Sequence, residues 1–190
     1  MRQDKFVLCV DMDDTIEDLV PAWVDWLNKH HDTHVAVEDI TNWNIAIYFP
    51  TLTYEEVFAP LSQREFWKTV KPKEDAINYL SRLAGEGVEV YICTSAYHST
   101  ITYKIEEVVE KYFSFIDWGH IIIAENKSMV RCDAIIDDAI HNLENHPAHR
   151  LLYTTPVNKE YNASLNGLVR VDDWRQAYRV IKLLQVKSSE

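Results

Sequence analysis

The chain has 190 residues, enough for one ordinary domain with an insertion, and its few glycines and prolines exclude a low-complexity or disordered chain. A net charge of −11 argues against a nucleic-acid or anionic-membrane surface, which would select clustered Lys and Arg. It leaves room for a small anionic substrate, because a metal and one or two lysines can reverse the potential locally.

No apolar run approaches the roughly 20 residues of a membrane-spanning helix. Arg2, Asp4 and Lys5 lead directly into a strand-like run, which is no signal-peptide pattern. Cys9, Cys93 and Cys132 read as free thiols of a reducing cytoplasm.

The first element is the apolar run 6–10, continuous and rich in β-branched residues, as in a buried parallel strand. It ends in Asp11-Met12-Asp13-Asp14-Thr15. On extended backbone Asp11 and Asp13 point the same way, and two adjacent carboxylates call for a shared proton or a divalent cation. The ends of parallel strands are also where open α/β sheets bind ligands.

Next comes an interval, 19–70, with no convincing strand but many aromatics, among them Trp23, Trp26, Trp43, Phe66 and Trp67. Pro21 suits the first turn of a helix there. Roughly fifty residues is too long for a loop and suits a small helical cap inserted into a core formed by 1–18 and 71–190. Within it His30 and His34 have the spacing of helical metal ligands, but Asp32-Thr33 signals that the helix is ending, which favours a structural reading.

Beyond 70, strand-like runs alternate with helical patterns. A helix over 73–84 stops at Gly85 and Gly87; strand 88–93 runs into Thr94-Ser95; a helix carries Ile101, Ile105, Val108, Val109 and Tyr112; strand 120–123 follows. The acids Glu106, Glu107 and Glu110 read as that helix's solvated face. Lys127 sits in a polar loop before strand 134–136, which ends in Asp137-Asp138. Strands 150–153 and 168–171 and a helix over 173–186 complete the chain. This alternation predicts an α/β fold with a mostly parallel sheet covered by helices. Two acidic strand ends could together cage a hard cation such as Mg²⁺.

Asp-x-Asp-x-Thr after the first strand, Thr-Ser after the second, a lysine, then Asp-Asp after a later strand resemble, in that order, the haloacid dehalogenase superfamily. The resemblance spans essentially the whole chain and implies a Rossmann-like three-layer core. It implies Asp11 as the nucleophile that forms an aspartyl-phosphate, and Asp13 as general acid and then base. It further implies Thr94 and Lys127 at the phosphoryl group, and Mg²⁺ bound by Asp11, the main-chain carbonyl of Asp13, Asp137 and Asp138. An acid at Asp13 reads as phosphate-ester hydrolysis, since an alcohol leaving group needs a proton.

Within the superfamily the chain looks most like the 5′(3′)-deoxyribonucleotidases. The matching features are the cap after the first motif, Asp39-Ile40-Thr41-Asn42-Trp43-Asn44, Ile92-Cys93-Thr94-Ser95, and Lys127 ten residues before Asp137. This resemblance implies Ser95 and Lys104 at the phosphate and Trp43, Phe66 and Trp67 against the base. The substrate so implied is a small phosphomonoester, a (deoxy)nucleoside monophosphate, with no nucleic acid or membrane as partner and a homodimer left open. Asp14 departs from a glycine common in the animal enzymes, Leu19 from a base-contacting phenylalanine, and Ala96-Tyr97-His98 from a proline-led turn. The alternatives are a phosphatase for another metabolite such as a sugar phosphate, a non-catalytic phospho-ligand sensor, and a receiver-like domain.

Overall fold

A computed structural model describes residues 5–187, so Arg2 and Asp4 lie outside the described residues. Six strands are present: β1 Val7–Val10, β2 Glu89–Thr94, β3 Ile121–Ile123, β4 Ala134–Asp137, β5 His149–Tyr153 and β6 Val169–Val171. They form one sheet in the order β3-β2-β1-β4-β5-β6, every pair parallel. The chain builds outward from β1 on one side through β2 and β3, then crosses to the other side at β4. The strand order therefore reverses between β1 and β4, which is where such sheets open a crevice for ligands.

Side chains alternate across the sheet as period two requires. Leu8, Val10, Ile92, Ala134, Ile136 and Leu151 join the larger buried cluster, while Cys9, Cys93, Ile135 and Leu152 join a smaller one on the other face. Because both faces are covered, β1 and the first three residues of β4 are apolar throughout rather than alternating, and this made them easy to find. Helix α1 spans Leu19–His31, followed by α2 Tyr54–Phe58, α3 Arg64–Trp67 and α4 Ala76–Gly85. Gly87, at φ +89°, closes α4 in a conformation that costs other residues more.

The segment 19–70 contains helices and 3₁₀ turns and no strand. Trp23, Leu27, Phe49, Val57 and Phe66 belong to the same continuous cluster as Leu8 and Val10, so its aromatics pack onto the sheet layer. Its entry and exit run side by side, with Asp18 N–H donating to Lys71 O at 2.8 Å and Lys73 N–H to Ile16 O at 2.9 Å. Helix α1 ends at His31, and Asp32 takes the left-handed conformation there. His30 stacks on Trp26, and His34 is exposed beyond the end of α1.

One helix differs from its expected form. The stretch after β2 is α-helical over Ile101–Lys104 (α5), π-helical over Ile105–Val109 and α-helical again over Glu110–Tyr112 (α6). Lys104, Ile105, Val108 and Val109 are all buried along this stretch. Glu106 and Glu107 are not simply solvated: both pair with Arg64 of α3, at 2.5 and 2.6 Å. The chain closes with α7 Ile140–Leu143 and α8 Trp174–Lys187. No described helix is long and apolar enough to cross a membrane.

Candidate active site

Asp11 follows β1 directly, and its N–H donates to Ile136 O of β4 at 2.9 Å. That bond holds the two acidic strand ends level at the reversal point. Asp11, Asp137 and Asp138 each present a carboxylate oxygen within 4.8 Å of the others, and all three are buried. Lys127 Nζ lies between Asp11 and Asp137, contacting Asp11 directly and Asp137 at 2.7 Å. Asp137 is fixed further by Ala139 N–H at 2.8 Å and Asn142 Nδ2 at 3.0 Å.

This arrangement gathers more negative charge than one ammonium offsets. Burial, against the pull of Lys127, raises the Asp11 carboxyl to about 7. Asp138 is pushed well above the usual range, by burial first and the Asp11 charge second. Burial alone would lower Lys127, but Asp11 and Asp137 outweigh it and hold the ammonium charged. Three buried carboxylates with one cation among them suit a hard divalent ion, whose charge would restore them to their ionised forms.

Asp13 pairs instead with Lys104. The Lys104 Nζ reaches the Asp13 carboxylate and Thr94 Oγ1, each at 2.7 Å, and is only 2% exposed. The C-terminal end of β2 is thus tied to the first motif by a lysine from α5. The ring of Trp67 lies 5.8 Å from the same ammonium. Ser95 follows Thr94 in the wall of a cavity of about 310 Å³ that is also lined by Asp13, Leu19, Leu61, Trp67, Tyr97, Lys104, Ile123 and Glu125. Ser95, Lys104 and Asp13 therefore line one pocket, with Thr94 bonded to Lys104 at its edge.

The cap aromatics do not converge in the same way. Phe66 is fully buried, packed edge to face on Trp26 and Trp67, and offers no face to the pocket. Trp43 lines a separate cavity of about 80 Å³ with Asp14, Lys73, Asp138 and Thr155. Of the three rings expected at a base, only Trp67 lines the pocket, and it is 97% covered by protein, being 3% exposed. Helical spacing on a packed segment turns most aromatics toward the core, which decides against Phe66.

Asp14 has φ +52°, the conformation for which glycine is the usual residue. Its carboxylate accepts the Val20 N–H at 3.1 Å and so caps α1 from six residues upstream. Asp tolerates left-handed backbone better than most residues because its short side chain bonds locally. The departure from glycine thus keeps the turn and adds a cap. Burial raises this carboxyl too, to about 7, against the pull of Lys73.

Several residues that position the site carry no motif in the sequence. Glu17 is fully buried, neither of its oxygens receives a donor, and burial with the adjacent Asp13 charge pushes it well above the usual range. Asn158 Nδ2 donates to Asp138 O at 2.8 Å and Tyr153 O at 2.7 Å, tying the end of β5 to the loop that carries Asp138. Trp174 Nε1 donates to Thr15 O at 3.0 Å, bracing the first motif from α8. Glu17 sits among other acids, Asp13, Asp14 and Asp18, and so leaves no signal of its own; Asn158 lies in a loop and leaves none.

Fold and site together define a phosphoric monoester hydrolase with a haloacid-dehalogenase-like core. The family model described as 5′ nucleotidase, deoxy (pyrimidine), cytosolic type C protein matches residues 5–188, and the chain belongs to that family. It is 30% identical over 177 residues to a 5′(3′)-deoxyribonucleotidase of Bacillus subtilis (strain 168), covering 92% of this chain and 98% of that protein. It is 28% identical over 182 residues to a 5′(3′)-deoxyribonucleotidase of Clostridium acetobutylicum, covering 96% and 98%. Among solved structures, a haloacid dehalogenase family hydrolase from Deinococcus radiodurans R1, with bound phosphate and sodium, superposes with a TM-score of 0.65 at 14% identity, covering 95% and 96%. A haloacid dehalogenase-like hydrolase from Streptococcus pneumoniae does so at 0.65 and 12%, covering 93% and 98%. At these identities the two structures speak to the fold alone.

Proposed function

We propose that the chain is a Mg²⁺-dependent phosphatase that hydrolyses deoxyribonucleoside monophosphates through a phosphoryl group carried on Asp11. The observation that carries this reading is the convergence of Asp11, Asp13, Thr94, Lys104 and Lys127 at one buried strand-end crevice. Family membership and the Bacillus and Clostridium relatives support the choice of nucleotides. The three free thiols are in keeping with a cytoplasmic location. Segment 19–70, which supplies Leu19, Leu61 and Trp67 to the pocket, is the proposed cap.

In this mechanism an Asp11 oxygen attacks phosphorus while the bond to the leaving oxygen breaks, and Asp13 gives that oxygen its proton. Asp13, now ionised, takes a proton from water as the water oxygen attacks the same phosphorus. The aspartyl-phosphate bond breaks, releasing inorganic phosphate and restoring the Asp11 carboxylate. Thr94 Oγ1, Ser95 and Lys104 hold the phosphoryl oxygens, and Lys127 keeps the Asp11 carboxylate aimed and ionised. Asp11, Asp137, Asp138 and the Asp13 carbonyl would hold Mg²⁺, whose contribution when bound is neutralisation of charge on the transferring group.

A substrate panel tests this. With Mg²⁺ present, dUMP and dTMP release phosphate faster than sugar phosphates; sugar phosphates turning over while both nucleotides are ignored would overturn the nucleotidase reading. EDTA abolishes the activity and added Mg²⁺ restores it.

A further inference from the structure

A planar base entering the 310 Å³ cavity finds few open rings. Phe66 is fully buried, Trp67 is 3% exposed, Trp43 lines a different cavity, and Leu19 is aliphatic. Tyr97 is the exception among the aromatic residues that line the pocket: it belongs to the wall of the cavity, yet it is 82% exposed. A large aromatic left open beside a ligand pocket is a surface waiting for a partner, since ring faces gain most when covered.

The backbone beneath this ring is fixed although the ring is not. Tyr97 O accepts Thr100 N–H at 3.0 Å, Ile101 N–H at 3.1 Å and Thr100 Oγ1 at 3.0 Å, so it serves as the anchor from which α5 starts. Three residues before it, Thr94 bonds Lys104. The ring therefore stands on the same short turn that supplies the phosphate-binding groups, at a set spacing from them.

We infer that Tyr97 is the specificity-determining ring of this pocket, stacking on the substrate's base and so favouring phosphomonoesters that carry a planar ring. This rests on the nucleotidase reading and adds to it the residue that recognises the base. Leu61 and Ile123 supply aliphatic surface in the same pocket. The cap aromatics would then serve mainly to pack the segment onto the sheet.

The test compares kcat/KM for dUMP with that for 2-deoxyribose 5-phosphate, which keeps sugar and phosphate but lacks the base. Base stacking is worth a factor of roughly ten in affinity, so Tyr97→Ala lowers the dUMP-to-deoxyribose-phosphate ratio about ten-fold, chiefly through KM. Tyr97→Phe keeps the ring and keeps the ratio. An unchanged ratio in Tyr97→Ala overturns the inference, as does an equal loss in Tyr97→Phe. A wild-type enzyme that prefers deoxyribose phosphate would instead overturn the nucleotidase reading.

Discussion

Asp13 and Asp11 are two residues apart, yet their surroundings differ. Asp11 is walled in with Asp137 and Asp138 and held by Lys127, whereas Asp13 looks into the open pocket beside Lys104. An acid that delivers a proton matters most when the leaving oxygen is strongly basic. Asp13→Asn is therefore expected to slow dUMP hydrolysis by about 10²–10⁴-fold and to slow an aryl phosphate with an acidic leaving group distinctly less. Steady-state rates on both substrates check this; equal losses would contradict the acid role. Asp14 offers a second residue-scale test. Asp14→Ala loses the bond to Val20 N–H but keeps the unfavourable φ, costing about 1–2 kcal/mol, while Asp14→Gly relieves the backbone. Thermal melts are expected to rank wild type above Gly and Gly above Ala.

At the scale of elements, the strands were legible because a doubly covered parallel sheet writes itself as continuous apolar runs. Phe6 to Val10 and Ala134 to Ile136 could be read within a residue or two of their observed ends. The acidic strand ends were legible for the same reason, since each interrupts an apolar run. The π-helical turn after Lys104 was not, because a one-residue widening leaves the residue types unchanged; Lys104 itself was named only through the family resemblance. The interval 19–70 was legible as helical and rich in aromatics, but which rings face the pocket depends on packing between segments far apart in sequence. Trp43 and Phe66 show the consequence, one lining another cavity and one buried. Trp43→Ala is expected to leave KM for dUMP within about two-fold of wild type, whereas Phe66→Ala loses about 3–5 kcal/mol of stability. Kinetics and denaturant unfolding separate the two effects, and a large KM change in Trp43→Ala would return that ring to the base site.

For the molecule as a whole, the gathered carboxylates link stability to pH and to metal. Asp11 and Asp14 are raised by burial from 3.8 to about 7. Below pH 3.8 folded and unfolded chains hold these protons alike. Between that value and about 7 the folded chain holds more, so stability falls as pH rises through this window. The metal-free protein is accordingly expected to melt at a lower temperature at pH 7.5 than at pH 5. Mg²⁺, which favours the ionised carboxylates, is expected to raise the melting temperature more at pH 7.5 than at pH 5. Equal Mg²⁺ shifts at both pH values would argue that the ion does not bind this cluster.

The covalent role of Asp11 is reached most directly by quenching the enzyme with acid during turnover of dUMP and mapping the phosphoryl group by peptide mass spectrometry. A hydroxylamine-labile phosphoryl group on Asp11, absent from Asp11→Asn together with all phosphate release, is the predicted result. Sustained phosphate release by Asp11→Asn, or a phosphoryl group on another residue, would contradict it.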